Sequence, residues 1–263
     1  MSHLSSPATE FRDCRRGCAQ EICFPDNQKA FDSLAGLSCF LFLLFGLFFN
    51  ALAFADSEQN GSVTSFDQDS PLFQSPVVSD SSSIFWQVAE RLNEQKIIFA
   101  EFNQEKRIAV LLKPLLSSGK LFFSVDDGLC IETEKPFYNL LSITPTAVFQ
   151  KDQDLEKTSV LPEGEALASN LSSIFLAVFS GDHALLESNF HLFAAGDPDN
   201  WKIGLKPRDR LVRSFLQSIV LTGNSSITAV EFLEENGDLT VISLSPEAPQ
   251  KQVIAEQKKK CFE

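Results

Sequence analysis

The side chains able to do chemistry are few and poorly assembled. Beyond residue 80 the chain has two histidines, His183 and His191. Neither stands in H-x-x-x-H or H-E-x-x-H spacing, so neither reads as half of a helical zinc pair. His191 lies in "NFHLF", opposite in parity to Phe190 and Leu192, and is predicted to face solvent. His183 follows Asp182 just after a predicted helix end, where positive charge is welcome. The acidic pairs Asp126-Asp127 and Glu234-Glu235 fall in predicted turns, where such residues serve local hydrogen bonding. A glycosidase needs two carboxylates that can lie far apart in sequence, but nothing else in the chain recommends one. There is no G-x-S-x-G elbow and no glycine-rich phosphate loop. Cys14, Cys18 and Cys23, with His3 nearby, fit no zinc spacing. The expectation is a protein that is not an enzyme and holds no metal and no cofactor.

Composition points to bulk apolar surface instead. The 263 residues include 25 Phe against one Tyr and two Trp. Phe buries much area and brings no hydrogen-bonding handle. The formal net charge of −13 argues against a nucleic-acid partner, whose binders offset phosphate with basic faces.

Leu34 to Ala55, "LAGLSCFLFLLFGLFFNALAFA", is an apolar run ending in the small-x-small form of a signal-peptidase site. Cleavage is expected after Ala55, which would leave the protein in the periplasm. An uncleaved inner-membrane anchor is the rival reading, since the run is long enough to span a bilayer. Residues 1–33 are mixed in charge and form an unusual extension upstream of it, consistent with a start nearer Leu34.

The rest divides by composition. Residues 56–80 are polar and aperiodic and read as a flexible linker. Residues 81–245 read as one domain, and 246–263 as a charged flexible tail carrying Lys258, Lys259 and Lys260. Two amphipathic helices are predicted, at 81–94 and 164–179. About ten strands accompany them. One hairpin, "SSGKLFFSVDDGLCIETEKPF", has Leu121, Phe123, Val125, Leu129 and Ile131 on one face and Phe122 on the other. An antiparallel sheet this large tends to curl. The fold class expected is α+β: a strongly curved, mostly antiparallel sheet, an unclosed β-barrel, with helices as a lid. Cys130 lies in a predicted strand and Cys261 in the polar tail, so two unpaired thiols are expected.

The run "FAEFNQEKRI…LKPLLSSGKLFFSVDDGLCIETEKPF" resembles the N-terminal signature of the LolA-type periplasmic lipoprotein carriers. Phe102-Asn103-Gln104, Ser117-Ser118-Gly119-Lys120-Leu121 and Pro136 stand at the matching places. Asp152, Asp154 and Leu155 match a later strand-D-x-D-L stretch. The place of an arginine that latches the lid in the best-known carriers falls near Val125, and that of a tryptophan at Ile131. The resemblance implies an apolar cavity for acyl chains under the lid. It implies a monomer that takes lipid or lipoprotein acyl chains from an inner-membrane exporter to an outer-membrane acceptor. The expected lining is Leu121, Phe123, Val125, Leu129 and Ile131 from the sheet. From the helices it is Phe85, Val88, Leu92, Leu171, Phe175 and Val178. The alternative is a protein-interaction or sensor domain with an apolar sheet face and no lipid cargo.

Overall fold

The computed structural model describes residues 71–74, 76–77, 83–152, 158–161 and 166–263. The apolar run at 34–55, the extension before it and most of the 56–80 linker lie outside the described residues. The strands are β1 (Ile97–Arg107), β2 (Leu115–Ser124), β3 (Gly128–Lys135), β4 (Asn139–Ile143), β5 (Val148–Asp152) and β6 (Thr158–Leu161). They continue as β7 (Phe190–Asp197), β8 (Asn200–Pro207), β9 (Leu216–Gly223), β10 (Ile227–Glu234) and β11 (Leu239–Pro246). The helices are α1 (Ile84–Glu94), α2 (Ala166–Ser180), α3 (His183–Asn189), α4 (Arg210–Arg213) and α5 (Lys251–Phe262).

All eleven strands form one sheet in the order β6-β5-β4-β3-β2-β1-β11-β10-β9-β8-β7. Every neighbouring pair is antiparallel. The sheet is an unclosed barrel, as expected, with one strand more than the pattern predicts. The first strand sits in the middle. The chain meanders outward to the β6 edge, crosses through α2 and α3 to the β7 edge, and meanders back until β11 pairs with β1. Phe102 therefore stands opposite Gly119 on one side and Leu244 on the other. Gly119 sits at a bulge, where a Cβ would overlap the Glu132 carbonyl oxygen. That close approach is why the S-S-G-K-L stretch needs glycine at its third place.

The concave face holds the main core. Ile98, Ala100 and Phe102 from β1 alternate onto it, as do Leu121 and Phe123 from β2 and Leu129 from β3. Helix α1 buries Phe85, Val88, Ala89 and Leu92, an i, i+3, i+4, i+7 stripe, against β7, β8 and α2. It runs from Ile84 with Ser83 at its N-cap, later than the predicted start at 81. Helix α2 ends at Gly181, whose φ of 66° and close approach to the Ala89 carbonyl lock α2 against α1. Asp182 then caps α3, its carboxylate accepting from the Leu185 amide at 3.0 Å. His183 thus begins a helix as well as following one. Its ring packs edge-on against Trp86, with centroids 4.6 Å apart.

Part of the expected linker is docked. Pro71–Gln74 form a 3₁₀ turn that buries Leu72. Pro76 bridges to Phe193, and the Val77 amide donates to the Leu192 carbonyl at 2.9 Å, extending the β7 edge.

The C-terminal tail is also structured. Residues 251–262 form α5, which lies on the convex face over β4. This second core joins Phe99, Phe122, Cys130, Leu140 and Cys261. Phe122, which points away from the main core, is covered there. Cys130 and Cys261 are disulfide-bonded across 131 residues, with Cα atoms 5.9 Å apart, which corrects the expectation of two free thiols. The tail's charges did not prevent helix formation because they fall on its exposed side, while Gln257 and Cys261, four residues apart, point inward. Glu132 is buried beneath α5 and satisfied by it. Gln257 Nε2 donates to one carboxylate oxygen at 3.1 Å, and Lys260 pairs with the other. The Ser142 hydroxyl donates to the Cys261 carbonyl at 2.6 Å, and Lys258 pairs with Asp127 at 2.8 Å.

Cross-linking residues this far apart removes much entropy from the unfolded chain. Cys261→Ser is expected to lower stability by about 2–5 kcal/mol. The loss should appear as an earlier denaturant midpoint and as exposure of the amides of β3 and β4 to hydrogen exchange.

Candidate functional site

A slot lies between the concave face and α2. Its sheet wall is formed by Gln104, Ser117, Leu121, Leu129, Ile131, Thr133 and Leu141 from β1 to β4, and by Val230, Phe232, Ile242 and Leu244 from β10 and β11. Its roof is Phe175 and Phe179 of α2. These positions share one face because strand side chains alternate. Leu129, Ile131 and Thr133 are successive inward residues of β3, and Ile242 and Leu244 of β11. The Phe175 ring lies 6.4 Å from Phe232, and the Phe179 ring 5.9 Å from Phe123, so aromatic contacts close the roof onto both halves of the sheet.

The slot is narrow. Its cavity volume is about 40 Å³. That is room for about three waters. Sites for larger ligands typically measure about 300–1,000 Å³. A ligand of that size does not fit the slot as it stands.

The slot has a polar end. Gln104 and Ser117 face each other across β1 and β2, and Thr133 pairs with Asn139 across β3 and β4. Asn139 is buried and donates through Nδ2 to Asp152. Asn139 Oδ1 and Thr240 Oγ1 are buried with no hydrogen-bond partner among the described residues. At the same rim Lys106, buried in β1, pairs with Glu234 at 2.8 Å. Burial pushes the Glu234 carboxyl above its ordinary range, and the hydrogen bond from Lys106 pulls it partly back. The slot is thus apolar along most of its length and polar at one end. Among the described residues no group of three or more His, Cys, Asp or Glu side chains could hold a metal ion.

The residues named from sequence divide into four groups. Leu121, Leu129, Ile131 and Phe175 line the slot. Phe85, Val88, Leu92, Phe123 and Val178 are buried in the same core, but they serve packing between helices and sheet. Val125 is 43% exposed, because β2 ends at Ser124 and the turn carries Val125 off the concave face. The side chain of Leu171 lies outside the described residues. The wall from β10 and β11 is not among the expected lining residues. Its alternation is visible in "SITAVEFLEENG" and "DLTVISLSP", but pairing of β11 with β1, which places Ile242 beside Gln104, is not a local property. Gln104 itself belongs to the F-N-Q stretch, two residues from Phe102 and on the same face.

Because the Lys106–Glu234 pair is buried, removing its cation strands a carboxylate. Lys106→Met is expected to cost about 1–3 kcal/mol near neutral pH. The Glu234 carboxyl is already raised in the folded protein, so its ionised form weakens the fold above that raised value and ceases to do so below the unfolded one. The variant raises it further. Its deficit should therefore fade as pH falls towards about 4, the ordinary carboxylate value. Denaturation curves at the two pH values check the sign.

Among curated proteins none matches this sequence. Among the solved structures to which the chain shows a distant likeness are the following two. A LolA superfamily protein from Nitrosomonas europaea is 10% identical, with 64% of this chain and 95% of that one covered and a TM-score of 0.37. A DUF1329 family protein from Desulfovibrio piger is 10% identical, with 64% and 92% covered and a TM-score of 0.36. Residues 79–261, which include both cysteines of the disulfide and α5 up to Cys261, match the family described as outer membrane lipoprotein carrier protein LolA-like, and the chain belongs to that family.

Proposed function

We propose that the protein is a non-enzymatic periplasmic carrier that shields the acyl chains of a lipoprotein or another lipid between inner and outer membranes. An inner-membrane exporter would load it and an outer-membrane acceptor would unload it. The observation that carries this reading is the slot: an apolar wall on the inside of a curved sheet, roofed by one helix through Phe175 and Phe179. Membership of the LolA-like family supports it.

Loading needs α2 to move. Helix α1 is tied at its C-terminal half, where Arg91 donates to the Asn224 carbonyl at 3.2 Å and Gln95 to the Ser225 carbonyl at 2.7 Å. Helix α2 supplies the roof, so lifting it takes Phe175 off Phe232 and Phe179 off Phe123. Each methylene that replaces those contacts stabilises the loaded state by about 0.8 kcal/mol. A chain of ten or so offsets the lost aromatic contacts and the ordering of the tail. The neutral Gln104, Ser117 and Thr133 would meet the cargo's polar head, with the tail running towards Leu121 and Leu129.

Delipidated protein is expected to take up a fluorescent fatty acid. Ile131→Glu, which puts a carboxylate in the slot wall, should weaken uptake by at least about tenfold, since burying an unpaired charge costs more than the roughly 1.4 kcal/mol that tenfold represents. Folded wild-type protein that takes up no fatty acid would refute the carrier reading.

A further inference from the structure

Residues 108–114, Ile-Ala-Val-Leu-Leu-Lys-Pro, join β1 to β2. The tip is apolar and bare. Val110 is 89% exposed, Leu112 is fully exposed, and Leu111 and Leu116 are about half exposed or more. The base is held. The Ala109 amide donates to Asp238 Oδ1 at 2.9 Å, and Asp238 is itself buried. The Leu111 amide donates to the Ile108 carbonyl at 2.9 Å, closing a turn. The loop therefore projects its side chains from a fixed foot, away from any core that would cover them. Contiguous apolar side chains held in water mark a contact surface.

Two long cations flank the tip, Arg107 and Lys113, and Arg107 also pairs with Glu105 at 2.7 Å. Apolar side chains flanked by long cations are the pattern of an interfacial anchor, where the tip enters acyl chains and the cations stay with anionic headgroups. The loop of residues 108–114 is also short for a stable protein interface, which takes about 20–30 residues from each partner. Its position adds a third observation. Gln104 lies three residues before Arg107, and Ser117 two residues after Leu115, so the polar end of the slot is about 10 Å of strand from the loop's foot.

We propose that this loop docks the protein on a lipid bilayer. Val110, Leu111 and Leu112 enter the boundary between headgroups and acyl chains, and Arg107 and Lys113 meet anionic headgroups. The docking rests on the loop alone. Its use, to present the slot's polar end to the membrane during cargo exchange, rests on the carrier reading.

The test uses the full chain and vesicles of phosphatidylethanolamine and phosphatidylglycerol. In Leu112→Trp the added indole should shift its emission to the blue on vesicle addition and be quenched by brominated acyl chains. Leu112→Asp should reduce loop insertion, read as vesicle protection of an adjacent Leu111→Trp probe, by about tenfold. It should leave the melting temperature and fatty-acid uptake unchanged, because the side chain touches no core. An indole that keeps its water-exposed emission with vesicles overturns the proposal. So does a blue shift produced only by added membrane proteins. Uptake without docking removes this proposal and leaves the carrier reading standing, and docking without uptake does the reverse.

Discussion

The position of β1 at the centre of an eleven-stranded antiparallel sheet governs the rest of the molecule. A meander that leaves on one side must return on the other, so the chain has to travel between two sheet edges that never pair. In a curved sheet the direct path lies across the open concave face. Helices α2 and α3 occupy that path, and α2 becomes a roof because the topology brings it there. The slot follows from this: its walls come from both meanders, and its roof comes from the segment that joins them.

Curvature also exposes a convex face. On β1 to β4 that face carries Phe99, Phe122, Cys130 and Leu140, which would be an aggregation hazard if bare. Helix α5 covers it, held by the Cys130–Cys261 bridge and by the buried Glu132, whose two oxygens are taken by Gln257 and Lys260. A carboxylate at that depth is tolerable only with such partners. The sheet wall under the slot is thereby stiffened from behind, while the roof in front meets the sheet through the rings of Phe175 and Phe179. Under the carrier reading proposed above, the stiffened wall would keep its shape and the roof would lift.

The concave face is graded along the strands. Leu121, Leu129 and Leu141 lie deep, and Gln104, Ser117 and Thr133 lie at the rim where β1 ends. The apolar loop 108–114 leaves from the same rim. Amphiphile and membrane would thus be met at one end of the molecule, and the opposite orientation would place the cargo's head among leucines.

Local pattern alone determined the strands and the two amphipathic helices, because alternation and the 3.6-residue period are written in neighbouring residues. The strand faces were equally readable. Leu121, Leu129 and Ile131 follow from strand alternation and Phe175 from the helical stripe, while Val125 leaves the face because the strand ends at Ser124. Only tertiary structure decided which faces meet. The β10 and β11 wall depends on pairing across more than a hundred residues, and so does the partnership of Cys130 with Cys261. The polar tail looked unstructured because its helix needs a surface to lie on, and that surface exists only once β1 to β4 have assembled. Distant contacts of this kind are set by how the chain closes in space, which no short stretch of residues encodes.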